Sequence, residues 1–304
     1  MKEILDYITA YSRTINKKHL AICSFFIAIF IFANFYYKID ERIDEQNSVF
    51  TSFFYRYIIF LVAFGIPYIL YLPTTSKNYF ENSQFILMAL ISPAIFSWKI
   101  GMSTELNLSE NSYWNYYWNQ IIYWPLRLIV LIILLIPFWK LIYKKESFFG
   151  FTIKRFKWKP YILMLMIMVP LIALASTQPD FLKMYPKLDD VNNVLVGIDN
   201  KWFFQLLHEL SYGSDFISVE LFFRGFLILG FVKFAGKDAI IPMACFYCTI
   251  HFGKPLGECI SSYFGGILLG IVVLNTRSII GGLVVHLGIA WLMELGGYIG
   301  NAFR

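Results

Sequence analysis

The chain has 304 residues, of which 58% are hydrophobic, 19% aromatic and only 15% charged, against the roughly 25% charged residues usual in a soluble domain. With a mean hydropathy of +0.59, this composition describes a multi-span membrane protein. The net charge of +6 does not indicate nucleic acid. Lys and Arg gather in short tracts between apolar runs, as orientation signals do, without zinc-finger spacing or a glycine-rich phosphate loop.

Residues 1–19 read as an amphipathic lead-in on the cytoplasmic surface. Apolar stretches follow near 20–37, 54–72, 84–98, 117–139, 160–176, 202–235, 239–252, 259–274 and 279–298. At about 20 residues per crossing these are nine candidate spans, the seventh and eighth short enough to be tilted or incomplete. The expected fold is therefore an all-α, polytopic transmembrane bundle of eight or nine spans. The first run follows a long charged N-terminus and lacks a small-residue cleavage site, so it reads as a retained anchor. The distribution of Lys and Arg, above all the tract Lys140–Lys159, places the N-terminus in the cytoplasm. Trp114, Tyr116, Tyr117, Trp118, Tyr123 and Trp124 are expected to form an interfacial aromatic belt before the fourth span.

The basic tract "YKKESFFGFTIKRFKWKP" divides the chain into residues 1–145, expected to be scaffold helices, and residues 146–304, expected to hold any chemistry. Ionisable residues inside spans are scarce before it and frequent after it. The run "SVELFFRGFLILGF" carries Glu220 and Arg224. Each charge at mid-bilayer costs about 2.5–3.5 kcal/mol on insertion scales. Four residues apart on a helix, the two share a face and can pair, and Glu209 returns to nearly the same face. A structural ion pair locking this helix to a neighbour explains that much by itself.

His251 ends the seventh apolar run in "FYCTIHFGKP", and His286 lies inside the ninth in "GGLVVHLGIAWLMEL". Either one alone reads as a neutral core histidine. Two of only four histidines fall in the half that holds the Glu-Arg pair, so their helices are expected to converge on it. Glu294 reads as an interfacial residue. Ser262, Gly266 and Gly270, with Gly281, Gly282 and Gly288, read as close-packing positions. The four cysteines, Cys23, Cys245, Cys248 and Cys259, lie in or beside apolar runs, which argues against a secreted disulfide framework. Cys245, Cys248 and His251 imitate a metal-ligand spacing, but on a helix they fan around the axis, so the thiols read as packing.

These motifs resemble the CPBP family, the CAAX proteases and bacteriocin-processing enzymes related to type II CAAX prenyl endopeptidase. Its pattern is Glu-Glu-x-x-x-Arg, then Phe-x-x-x-His, then His-x-x-x-Asn, each on a transmembrane helix. "VELFFRG" supplies Glu220 and Arg224, "YCTIH" supplies His251 with Tyr247 in the place of Phe, and "HLGIA" supplies His286. "HFGKPLGECISSYFGGILLG" is similar to a bacterial branch of the family. Val219 stands where the first Glu would be, and Ala290 where Asn would be.

The resemblance implies an intramembrane endopeptidase of a bacterial cytoplasmic membrane, hydrolysing a peptide bond of a membrane-associated protein or peptide. Glu220, Arg224, His251 and His286 would be its catalytic residues. Glu220 would be the general base, raised by burial and lowered by Arg224. His251 would assist proton transfer, and His286 would stabilise the oxyanion. Alternatively Glu220, His251 and His286 would hold a zinc ion that activates water. The departures at Val219 and Ala290 keep a second reading open, a degenerate relative that binds or presents a membrane partner. Intramembrane Glu, Arg and His also suit an ion pathway, although the chain lacks the internal repeat that many transporters show.

Overall fold

The computed structural model describes residues 2–74, 78–102, 105–143, 146–154 and 156–303; Lys144, Lys145 and Arg155 of the basic tract lie outside them. Among the described residues every regular element is helical. In chain order these are α1 (Lys2–Thr14), α2 (Lys17–Tyr37), α3 (Ile39–Asp44), α4 (Val49–Tyr71), α5 (Ser83–Gly101), α6 (Ser112–Ile142) and α7 (Trp158–Ala175). The short α8 (Pro179–Met184) and α9 (Asp189–Asn192) precede α10 (Lys201–Glu220), a π-helical segment Leu221–Leu229, α11 (Val232–Ala235), α12 (Ile240–Thr249), α13 (Leu256–Thr276) and α14 (Ile280–Ala302).

Local chemistry sets several of these boundaries. The Asn16 side chain accepts the His19 N–H and the Ser48 side chain accepts the Thr51 N–H, each satisfying an orphan donor at a helix start. Lys38, left-handed at φ 52°, ends α2 by returning its N–H to the Asn34 carbonyl.

Among the described residues seven helices are long and apolar enough to cross a membrane: α2, α4, α5, α6, α7, α13 and α14. The chain is an integral membrane protein. Two expected spans come out differently. The run 202–235 is divided among α10, the π-helical segment and α11, with Gly236 at φ 59° ending the last of these. The run 239–252 contains only the ten residues of α12. At 1.5 Å per residue that is about 15 Å, half a hydrocarbon core of about 30 Å.

The chain forms two compact units that interleave along the sequence. The first comprises Met1–Gly101, Trp139–Arg155 and Leu221–Ile279. Its core is aromatic. Phe96 of α5 lies 4.7 Å from Phe222 and 4.9 Å from Phe223 between ring centroids, and Phe60 of α4 lies 4.9 Å from Phe246. Phe64 meets Phe231 edge-on at 5.3 Å. Offset and edge-on pairs of this kind add to the burial energy of each ring. The small residues of α13 face α12 as their spacing predicts: a Cβ on Gly266 would stand 3.2 Å from the Tyr247 ring and 3.3 Å from the Ala244 methyl.

The second unit comprises Met102–Phe138, Phe156–Glu220 and Ile280–Arg304. Here α14 packs along α7 through its glycines. A Cβ at Gly281 would overlap the Tyr161 ring at 2.1 Å, and one at Gly288 would reach Leu165 at 2.7 Å. A cluster of Tyr117, Ile121, Val191 and Leu195 joins α6 to α9 and the segment that follows it. Glu294 differs from its expected interfacial place. It is buried, and its carboxylate accepts the backbone N–H groups of Lys187 at 2.9 Å and Leu188 at 3.2 Å.

Candidate functional site

α10 ends on Glu220, whose side chain is 0% exposed. Its Oε1 accepts from Nδ1 of His286 on α14 at 3.0 Å. When the carboxylate is ionised it only accepts, and Nδ1 then carries the imidazole proton and Nε2 the lone pair. The His286 side chain keeps 15% exposure, so the imidazole is the open member of the pair. Phe216, one turn before Glu220, sets its ring edge-on to the imidazole at 4.9 Å.

Gly282 makes this approach feasible. It lies one turn before His286, and a Cβ there would stand 2.5 Å from Glu220 Oε2. The carboxylate therefore occupies the volume that any larger side chain would fill. The glycine pair of "GGLVVH" has two tasks, Gly281 admitting Tyr161 and Gly282 admitting the acid.

A different grouping forms within the first unit. Arg224, 0% exposed on the π-helical segment, places its guanidinium 4.0 Å from the centroid of the Tyr247 ring. That is a cation–π arrangement, worth about 0.5–2 kcal/mol or more when desolvated. Phe223 meets the same ring at 5.1 Å. His251 lies in the turn after α12, where its backbone N–H bonds to the Cys248 carbonyl and its ring abuts Tyr247 at 4.7 Å. His251 Nδ1 is 3.0 Å from the Tyr247 carbonyl. A carbonyl only accepts, so this imidazole too carries its proton on Nδ1 and its lone pair on Nε2.

The structure thus joins Glu220 to His286, and Arg224 to Tyr247 and His251, one grouping in each unit. Glu209 lies eleven residues before Glu220, about 16 Å along the helix. Sequence reasoning passed over Phe216, took Tyr247 only as a substitute for the motif Phe, and took Gly282 only as a packing position. The available signal for Tyr247 was its place four residues before His251, where helical neighbours meet. Nothing local marks Gly282, since its task depends on which side chain arrives from α10.

Among the described residues, no three His, Cys, Asp or Glu side chains gather into a group that could hold a metal ion. Of the expected donor set, Glu220 and His286 lie in the second unit and His251 in the first. Cys245, Cys248 and Cys259 are buried free thiols, with the Cys248 and Cys259 sulfurs 3.9 Å apart.

Residues 215–292 match the family model described as type II CAAX prenyl endopeptidase Rce1-like. Through this segment, about a quarter of its length, the chain is similar to that family. The match takes in Glu220, Arg224, Tyr247, His251 and His286, on both groupings described above. No curated protein and no solved structure matches the chain. A CPBP-type segment on an integral membrane chain points to a membrane protease of the CAAX type. Val219 and Ala290, where the family's Glu and Asn would stand, are both buried.

Proposed function

We propose that the chain is an intramembrane endopeptidase in which Glu220 and His286 act as one proton-handling unit. The observation that carries the reading is the 3.0 Å bond from His286 Nδ1 to a carboxylate with no exposure of its own. Full burial shifts the base role from Glu220 to the imidazole it holds. Water attacks the carbonyl carbon of the scissile amide while Nε2 of His286 takes a water proton. The Glu220 carboxylate supplies the compensating negative charge. As the C–N bond breaks, the same proton passes to the departing amine.

His251, with its lone pair also on Nε2, is assigned to assist proton transfer. Arg224 is fully buried, so its part is to brace Tyr247, against which His251 rests. The substrate class is a membrane-associated protein or peptide, and the residues from 146 onward hold the chemistry. The likeness of residues 251–270 to a bacterial branch supports a bacterial cytoplasmic membrane.

The test is turnover in proteoliposomes of a farnesylated peptide ending in a CAAX sequence, beside an unprenylated lipid-anchored peptide. Wild type cleaves at least one of them, and Glu220→Gln and His286→Ala each lose about 10²–10⁴-fold in kcat. Unchanged turnover in either variant removes that residue from the mechanism. A second reading, a non-catalytic relative that binds a membrane partner, is favoured by the apolar, buried Val219 and Ala290. Retention of an intact peptide by wild type and Glu220→Gln alike, with no product from either, would establish it.

A further inference from the structure

The turn that carries His251 is gripped from outside its own hairpin. Asn34, on the last turns of α2, is buried at 3% exposure. Its Nδ2 donates to the Phe252 carbonyl at 3.1 Å. Its Oδ1 accepts the Asp40 N–H at 3.0 Å, and its own carbonyl accepts the Lys38 N–H. These partners leave no freedom in the amide's orientation: a carbonyl can face only the NH₂ group, and an N–H only the oxygen. The Phe30 ring, one turn earlier on α2, meets the Phe252 ring edge-on at 5.5 Å.

The next residue of the turn is held by shape. A Cβ on Gly253 would stand 2.6 Å from Asp40 Oδ2, so the Asp40 carboxylate lies directly against the glycine backbone. Within the turn, the His251 N–H bonds to the Cys248 carbonyl and the Lys254 N–H bonds to the His251 carbonyl, each at 3.0 Å. Any displacement of residues 252 and 253 is therefore transmitted to residue 251. The His251 ring bonds from Nδ1 to the Tyr247 carbonyl at 3.0 Å.

We infer that Asn34 is a positioning residue for His251, acting through the Phe252 carbonyl, with Asp40 closing the clasp against Gly253. The α2–α3 corner sets where the His251 imidazole points. A helix that sequence reading assigned to scaffold thus reaches the chemistry. The inference rests on the protease reading for its consequence in turnover but not for the clasp itself, and the experiment separates the two.

The chain has four histidines, so histidine-selective ¹⁵N labelling resolves each imidazole by NMR. In wild type the His251 nitrogens report the Nδ1–H tautomer. Asn34→Asp sets a carboxylate oxygen against the Phe252 carbonyl at nearly constant volume. It is expected to move His251 toward mixed tautomers and to leave His286 as in wild type. Turnover falls about 10- to 100-fold in kcat with KM within about twofold, the pattern of a misplaced group rather than lost binding.

Gly253→Ala attacks the clasp from its other side and shifts the same signals. Adding Asp40→Ala to it restores the space and the wild-type signals. If Asn34→Asp does not fold, this pair carries the test. Wild-type His251 signals in both Asn34→Asp and Gly253→Ala would overturn the inference. Movable His251 signals in a wild type that cleaves no peptide would leave the clasp standing and remove the protease reading.

Discussion

In the unit containing α10 and α14, His286 gives its Nδ1 proton to the Glu220 carboxylate; in the unit containing α12 and α13, His251 gives its own to the Tyr247 carbonyl. Both bonds measure 3.0 Å, and with Glu220 ionised both imidazoles carry the proton on Nδ1. Their strengths differ, because a bond to an ionised acceptor is about twice as strong as one between neutral groups. The carboxylate also supplies charge to balance an imidazolium, whereas the carbonyl chiefly fixes direction. A neutral bond needs outside support, and His251 obtains it from the Tyr247 ring and from the α2–α3 corner around the turn. Its partner is main chain and follows the helix backbone. The partner of His286 is a side chain that reaches it only because Gly282 leaves room.

The largest effect should follow from treating Glu220 and His286 as a unit. Each single variant loses about 10²–10⁴-fold in turnover, and the double variant Glu220→Gln/His286→Ala should lose no more than the worse single. Losses that multiply, measured in the same proteoliposomes, would break the pair into independent contributions. On the other side of the comparison, Tyr247→Leu removes the cation–π contact with Arg224 and the edge contact with His251. It should lower the unfolding free energy by roughly 1–3 kcal/mol, with turnover lost in parallel. Tyr247→Phe keeps the ring and should stay within about 0.5 kcal/mol on denaturant unfolding in detergent.

Gly282→Ala should separate function from stability. The new methyl meets the far end of a flexible side chain, so stability should fall by less than about 1 kcal/mol while the carboxylate is pushed off line. About tenfold loss of turnover with near-wild-type unfolding is expected; unaltered turnover would mean that Glu220 has room elsewhere.

The smallest effect concerns Asp40, which lies between α2 and α4. Burial, then the nearby Asp44 carboxylate, raise its pKa to about 6, with Glu41 adding to this and Arg56 opposing it. The folded state then binds more proton than the unfolded state between about pH 4 and 6, so stability falls as pH rises through that window. Asp40→Asn should unfold at a higher temperature than wild type at pH 7.5 and at the same temperature near pH 4. Equal unfolding temperatures at both pH values would show that Asp40 titrates alike in the two states.

Much of the fold was legible because each apolar run either reaches the length of a bilayer or does not. The run 239–252, short enough to be expected as incomplete, is so: hydrophobicity reports burial, and α12 is buried among protein side chains without being long enough to cross. The candidate residues were legible for an energetic reason: an ionisable group in an apolar run is costly, so Glu220, Arg224, His251 and His286 stood out. Their partners were less so. Helical spacing placed Glu220 and Arg224 on one face, but it did not foretell that Glu220 meets His286 or that Arg224 lies over the Tyr247 ring. The glycines read as packing positions were such, but what Gly282 admits is a carboxylate rather than a helix ridge.

The amino-acid order by itself determined that this chain lives in a membrane as helices, and which four side chains in its last hundred residues require an explanation. Those facts follow from solvation and from local periodicity, which act over a few residues at a time. The tertiary structure alone decided that His286 meets a buried acid, that His251 leans on Tyr247, and that a corner near residue 40 holds the turn beyond residue 250. The first and last of these join positions tens to hundreds of residues apart, and only the packing of whole helices selects them; the Tyr247 contact spans one helical turn, and the tertiary structure gave it its partner Arg224.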